Sequence, residues 1–148
     1  MFIVTTERLT LLPISTLNAN DFQTYIQDKK HIGRYIEQLK LDPTLLGWGV
    51  WLVTDTTTRE VLGDIGFKGT PTGGIAEVGY GFNPSARNQG YATESVRALL
   101  DWAFSTGQAA AIVAECLADN HASINVLKKL GMKQTDEQDG MLYWTLSA

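Results

Sequence analysis

The sequence predicts an α/β fold in which helices flank a mixed sheet, and three observations lead there. First, β-branched and apolar runs between residues 48 and 82 follow one another as a meander, punctuated by turn residues. Second, the pattern after residue 90 changes to helix, strand, helix and a closing pair of strands. Third, the 148 residues are 44% hydrophobic and 19% charged, ordinary globular usage that excludes disorder. At roughly 150 residues per domain, residues 1–148 are expected to form a single domain.

Taken in order, Thr5 to Leu12 reads as a first strand stopped by Pro13. Asn18 to about Ile36 has helical spacing through Phe22, Ile26 and Tyr35, with Asn18 or Asn20 as cap. His31-Ile32-Gly33 is expected to interrupt it, because glycine weakens a helix interior. Trp48 to Thr54 and Glu60 to Lys68 read as strands joined by the turn Asp55 to Arg59, and Gly74 to Phe82 as a third. Ala92, Val96, Leu99, Leu100 and Ala103 form the stripe of an amphipathic helix, closed by Gly107. Ala111 to Leu117 is a short apolar strand. Asp119 or Asn120 caps a helix with the face Ile124, Leu127 and Leu130, and Gly131 ends it. Lys133 to Glu137 and Met141 to Leu146 pair across Gln138-Asp139-Gly140.

Charge narrows the partners. Twelve Lys and Arg against 16 Asp and Glu give a net charge of −4, and the only adjacent basic pairs are Lys29-Lys30 and Lys128-Lys129. Nucleic acid is therefore not an expected partner, since affinity for a phosphate backbone needs clustered bases. No apolar run approaches the ~20 residues that span a bilayer, so no membrane association is expected. The start of the chain lacks a signal-peptide pattern, and the one cysteine, Cys116, excludes an internal disulfide framework. A soluble cytoplasmic domain is expected, and a homodimer stays open.

The stretch from Glu77 to Thr93 carries the chemistry. Gly79 and Gly81 alternate, leaving one face of a strand without side chains, as where a ligand approaches the backbone. The turn Arg87-Asn88-Gln89-Gly90-Tyr91-Ala92 then leads into a helix. A helix start offers unpaired N–H groups and partial positive charge, both of which favour a phosphate. Gly90 and Ala92 are small enough for close approach.

Arg87-x-x-Gly90-x-Ala92 resembles the Q/R-x-x-G-x-G/A signature of the GNAT N-acetyltransferase superfamily. The run from Asn120 to Met132, an Asn, a small residue and a helix ending Leu-Gly-Met, is similar to that family's second motif. Thr6-Glu7-Arg8-Leu9 and the Asn120/Ser123 pair look most like the branch of ribosomal-protein N-terminal acetyltransferases. The resemblance implies a mostly antiparallel sheet of six to seven strands flanked by about four helices. It also implies transfer of an acetyl group from acetyl-coenzyme A to a primary amine by direct attack in a ternary complex. In that reading the pantetheine lies along Tyr80, Gly81 and Phe82. Main-chain N–H groups of Asn88, Gln89, Gly90, Tyr91, Ala92 and Thr93, beside Arg87, hold the pyrophosphate. Asn120 and Ser123 meet the pantetheine, and Lys129 lies near the nucleotide phosphates. The acceptor, a protein N-terminus or a small amine, is not specified by these motifs; the first helix, the loop Gln38 to Gly47 and the last hairpin are expected to bind it.

An amine is mostly protonated at neutral pH, with a pKa near ~10.4, and must lose a proton before it attacks. A nearby carboxylate can accept that proton. Glu77, on the face of Gly79 and Gly81, is the first candidate, and Glu115 on the next strand is the second. A main-chain N–H near Phe82 would stabilise the oxyanion. Many family members carry a tyrosine general acid where this chain has Leu127; either Tyr80, Tyr143, Ser123 or water serves instead, or no acid is needed. That substitution also motivates a rival reading, a non-catalytic acyl-coenzyme A binder with the same fold.

Other candidates have plainer readings. Cys116 reads as a small buried hydrophobe. Neither His31 nor His121 shows triad spacing, and His121 reads as a first-turn surface residue. Asp64 either faces the acceptor site or is a turn-proximal or edge carboxylate. Trp48, Trp51, Trp102 and Trp144 read as core. No cluster has metal-ligand spacing, so no metal is expected.

Overall fold

A tight turn opens the fold. The Thr6 N–H donates to the Leu9 carbonyl at 2.9 Å, and the Leu9 N–H donates to Thr6 Oγ1 at 3.1 Å. The turn divides the expected first strand into β1 (Val4–Thr5) and β2 (Leu9–Pro13). The structure, a computed structural model, describes residues 2–148; Met1 of the expected 1–148 domain lies outside the described residues. The remaining strands are β3 (Val50–Asp55), β4 (Val61–Phe67), β5 (Ile75–Phe82), β6 (Ala111–Leu117), β7 (Lys133–Gln138) and β8 (Met141–Ser147). They form one eight-stranded sheet in the order β1-β2-β3-β4-β5-β6-β8-β7. Every pairing is antiparallel except β5 with β6. The divided first strand accounts for eight strands instead of six to seven.

Period-2 alternation assigns the sheet two apolar faces. On one, Trp51, Val53, Ile65 and Phe67 pack against Val96, Leu99, Leu100 and Ala103 of α3 (Tyr91–Ser105), while Leu127 of α4 (His121–Lys129) joins the same core. Trp102 of α3 stands 5.0 Å from Trp48 and 5.1 Å from Trp51 by ring centroids, so three of the tryptophans form a packing cluster. Contacts of this kind are worth about 0.5–1.5 kcal/mol each beyond the area they bury.

The other face of the sheet is covered by α1 (Gln23–Ile26) and α2 (Lys30–Leu41). Ile32, Tyr35 and Leu39, spaced as one helix face, pack with Val50 and Leu52 of β3. The first helix breaks earlier than expected, at residues 27–29, and Gly33 lies inside α2. A Cβ at Gly33 would meet nothing within 4 Å, so this glycine sits on an exposed face. Its cost of about 1 kcal/mol is outweighed by the three buried neighbours. β3 starts at Val50 instead of Trp48, and a Cβ at Gly49, just before it, would collide with the Tyr35 ring.

Candidate functional site

The parallel pair β5–β6 is short. Residues Ile75, Ala76 and Glu77 pair with Ala111, Ile112 and Val113, and there the ladder stops. Beyond it, β5 stays with β4 as far as Phe82, and β6 stays with β8 as far as Leu117, so the two strands part. Strand alternation turns the main chain of Tyr80 toward the gap, because the Glu77 carbonyl and the Asn83 N–H bond to the β4 side. A recess of about 140 Å³ lies there, bounded by Glu77, Tyr80, Glu115, Ser123 and Leu127.

Inside this region the Tyr80 hydroxyl is buried without a hydrogen-bond partner, one of two such side-chain atoms among the described residues; the other is Trp144 Nε1. Ser123 and Cys116 are its polar neighbours, yet neither meets it in bonding geometry. Burial pushes the Tyr80 phenol above the ordinary tyrosine value, against a smaller opposing pull from Ser123. An orphaned buried hydroxyl costs free energy unless a ligand completes it.

The glycines divide into two kinds. A Cβ at Gly49, Gly63 or Gly66 would collide with the Tyr35 ring, the Gly81 carbonyl or the Gly49 carbonyl respectively, so packing requires them. A Cβ at Gly79 or Gly81 would meet nothing within 4 Å. Their bare face is not explained by contacts within the chain, and it borders the open cleft described below.

After β5 the chain makes a 3-10 turn (Pro84–Ala86), and Asn88 and Gly90 then take left-handed conformations, with φ of 62° and 81°. Gly90 is the N-cap of the 15-residue α3 and brings no side chain to satisfy it. The N–H groups of Tyr91, Ala92 and Thr93 therefore begin the helix without intrahelical acceptors. The turn itself is braced: Arg87 Nε donates to the Phe82 carbonyl at 3.1 Å and Gln89 Nε2 to the Ser85 carbonyl at 2.8 Å. Arg8 lies 4.4 Å over the Tyr91 ring and donates through Nε to Glu94 at 2.7 Å; Thr6 also donates to Glu94. Burial alone would raise the Glu94 carboxyl, but the Thr6 and Arg8 hydrogen bonds and the Arg8 charge hold it below the usual value. Occupied in this way, Glu94 leaves the helix start available to an external anion.

Asn120 caps α4 by accepting from the Ser123 N–H at 3.1 Å, which leaves its amide nitrogen without a partner among the described residues. Lys129 is exposed on the last turn of α4, where its carbonyl accepts from Arg97 at 2.6 Å. Glu77 meets Lys68 Nζ at 2.5 Å, and Glu115 is exposed on β6 opposite Tyr143. Cys116 is buried, and His121 is exposed at the first position of α4, as read from the sequence.

On the α1/α2 side of the sheet lies a cleft of about 1040 Å³ whose lining includes Gly79 to Phe82. Asp64, 9% exposed on the central strand β4, stands within it. Tyr25 Oη donates to Asp64 Oδ2 at 2.7 Å, and His31 Nε2 lies 2.8 Å from Oδ1. Burial first, and the Asp64 contact second, push the Tyr25 phenol far up, so it remains a donor. Sequence spacing gave no sign of this trio, because 33 positions separate His31 from Asp64; the trace was a carboxylate amid the glycines of Gly63-Asp64-Ile65-Gly66. Asp64 is thus a cleft residue and not an edge carboxylate. The cleft also takes residues from α1, α2 and the following loop, including Leu41 and Leu45, whereas the last hairpin does not line it. Among the described residues no group of three or more His, Cys, Asp or Glu could hold a metal ion, and no helix is long and apolar enough to cross a membrane.

Comparison with known proteins agrees with this fold. The family description "Acetyltransferase (GNAT) domain" matches residues 8–133. The chain is similar to the uncharacterized N-acetyltransferase YjdG of Bacillus subtilis (strain 168), 32% identical over 99 residues. That match covers 66% of this chain but only 59% of the relative's length. The ribosomal-protein-S5-alanine acetyltransferase from Vibrio fischeri superposes with a TM-score of 0.82 at 16% identity, covering 99% of this chain and 97% of that one. The ribosomal L7/L12 alpha-N-protein acetyltransferase RimL, in complex with coenzyme A through a disulfide to a cysteine, has a TM-score of 0.75 at 18% identity, covering 99% and 98%. At these identities the structural likeness is one of fold.

Proposed function

The chain belongs to the acetyltransferase (GNAT) domain family, and from that premise we propose that residues 1–148 act as one domain transferring an acetyl group from acetyl-coenzyme A to a primary amine. The observation that carries this reading is the parting of β5 from β6 directly before an uncapped helix of 15 residues. The residues fit the donor: the orphaned Tyr80 hydroxyl and the bare faces of Gly79 and Gly81 both border space that the chain itself does not use.

When bound, acetyl-coenzyme A supplies an activated acyl carbon on a thioester. The chain's residues do the rest. N–H groups from Asn88 to Thr93 hold the diphosphate at the positive end of α3, with Arg87 beside them and Lys129 near the nucleotide phosphates. Because that contact is local, it outweighs a net charge of −4 that salt screens beyond about 8 Å. The Tyr80, Gly81 and Phe82 main chain receives the pantetheine along the edge vacated by β6, and the Asn120 amide nitrogen donates to it. The Phe82 N–H polarises the acyl oxygen. Tyr80 and Ser123, which border the recess, are the donors available to the leaving sulfur in place of the tyrosine that Leu127 replaces. Glu77 and Glu115 border the same recess, Glu77 in an ion pair with Lys68 and Glu115 exposed to solvent. The acceptor amine, a small molecule or a peptide N-terminus, enters from the α1/α2 cleft.

Free-thiol release from acetyl-coenzyme A, assayed across peptide N-termini, polyamines, amino sugars and amino acids, tests the reading. Turnover on at least one class is expected. Thermal stabilisation by acetyl-coenzyme A with no thiol released on any amine would instead identify a binding module.

A further inference from the structure

We infer that His31, held by Asp64, takes the proton from the acceptor amine. The inference rests on the acetyl-transfer reading and assigns one of its steps to a group outside the sequence motifs.

Elimination within the cleft points to His31. Lys29, Arg34, Lys68 and Arg87 line it, but ammonium and guanidinium groups offer only donors. Asp42 caps the 3-10 turn Pro43–Leu45 through Oδ1, which accepts from the Thr44 hydroxyl and N–H at 2.6 and 3.1 Å. It lies at the far end of α2, roughly 16 Å along the helix from His31. Burial pushes the Tyr35 phenol up to about 12, and its hydroxyl donates to the Ile14 carbonyl. Tyr25 is fixed as a donor to Asp64. Asp64 already accepts from two directions. His31 remains. Its Nε2 meets a carboxylate that can only accept, so Nε2 carries the ring proton and the lone pair of the neutral ring lies on Nδ1. Nδ1 has no partner among the described residues, and half of the side chain is exposed.

Position agrees with chemistry. Asp64 is directly opposite Gly81 across β4 and β5. The Cα atoms of such a hydrogen-bonded pair lie roughly 5.5 Å apart. His31 is one hydrogen bond further out, on the face that Gly79 and Gly81 leave bare. Glu77, by contrast, is engaged by Lys68. In the step, a proton leaves the acceptor's ammonium nitrogen for His31 Nδ1. The freed lone pair forms the C–N bond to the acyl carbon as the C–S bond breaks, its electron pair staying on sulfur. The second N–H proton neutralises the sulfur, and His31 returns its own proton to water through its exposed half. Asp64 is the positioning residue that fixes the tautomer, and Tyr25 fixes Asp64.

The test uses the full chain and the amine turned over fastest by the unaltered protein. His31→Ala should lower kcat about 100-fold, the scale of general base catalysis, with acetyl-coenzyme A affinity by calorimetry within twofold. Added imidazole should restore part of the rate. Nitrogen-15 spectra of the histidine rings, in protein without ligand, should place the proton of neutral His31 on Nε2. Asp64→Asn should redistribute that proton and lower kcat while leaving acetyl-coenzyme A affinity unchanged. Retention of kcat within threefold in His31→Ala, or a proton on Nδ1 in the unaltered protein, would overturn the inference alone. Absence of turnover by the unaltered protein on every amine would instead overturn the acetyl-transfer reading beneath it.

Discussion

Asp64 and Gly81 oppose each other across β4 and β5, so the carboxylate held by Tyr25 and His31 stands beside the one stretch of β5 that presents no side chains. The pairing connects two regions, the gap edge of Tyr80 on one side and the α1/α2 cleft on the other. Filling the bare face should therefore affect chemistry and not folding. Gly81→Ala adds a Cβ that would meet no atom within 4 Å, so stability by urea unfolding should change by no more than about 0.5 kcal/mol. The kcat/KM for the amine should fall by about tenfold or more, because the reacting groups can no longer close.

The buried, unpartnered Tyr80 hydroxyl gives a test with opposite signs for stability and function. Tyr80→Phe removes a polar atom that the chain leaves unsatisfied, so the melting temperature should hold or rise. Affinity for acetyl-coenzyme A or kcat should fall. A loss of stability without a change in either would indicate a structural hydroxyl.

Asn120 separates capping from ligand binding. Asn120→Ala should cost about 1 kcal/mol of stability through the lost cap, and should weaken acetyl-coenzyme A binding. Asn120→Asp keeps an acceptor for the Ser123 N–H and should keep the stability, yet it lacks the amide donor and should bind as weakly as the alanine variant. Calorimetry and unfolding on the same two variants check both halves.

Glu94 gives a pH dependence. Its carboxyl is held below the usual 4.5 by Thr6 and Arg8, in spite of partial burial. A lowered folded-state value means that its contribution is fully present above about 4.5 and is lost as pH falls through the lower folded value. Unfolding midpoints of the unaltered protein and Glu94→Gln should differ near neutrality and converge in acid, below the lowered folded value. An equal gap at both pH values would show that the Thr6–Arg8–Glu94 contact stabilises nothing through charge.

How far the sequence foretold this arrangement depends on whether the signal was local. The α3 stripe, the Gly107 and Gly131 stops and the Asn120 cap were all readable, because each depends on a few consecutive residues; both glycines have positive φ and the Asn120 cap bond is present. The Thr6 turn was hidden, since β-forming residues flank it on both sides and its closing bonds are made by Thr6 and Leu9 themselves. Gly33 misled, because an exposed glycine costs a helix less than three buried neighbours contribute. The turn from Arg87 to Thr93 was legible as a glycine-containing helix start, and Gly90 is the N-cap with positive φ. The Tyr25–Asp64–His31 cluster was not legible, because three elements distant in sequence meet only when α1 and α2 fold over the sheet.

The central claim is that main-chain amides from Asn88 to Thr93 grip the diphosphate of acetyl-coenzyme A. Backbone nitrogen-15 spectra recorded during titration with acetyl-coenzyme A, and separately with acetyl-pantetheine, which lacks the diphosphate, test it most directly. The account predicts that acetyl-coenzyme A shifts the amides of 88–93 together with those of 80–82, whereas acetyl-pantetheine shifts only the latter. Saturation with acetyl-coenzyme A that leaves the amides of 88–93 unmoved would contradict it.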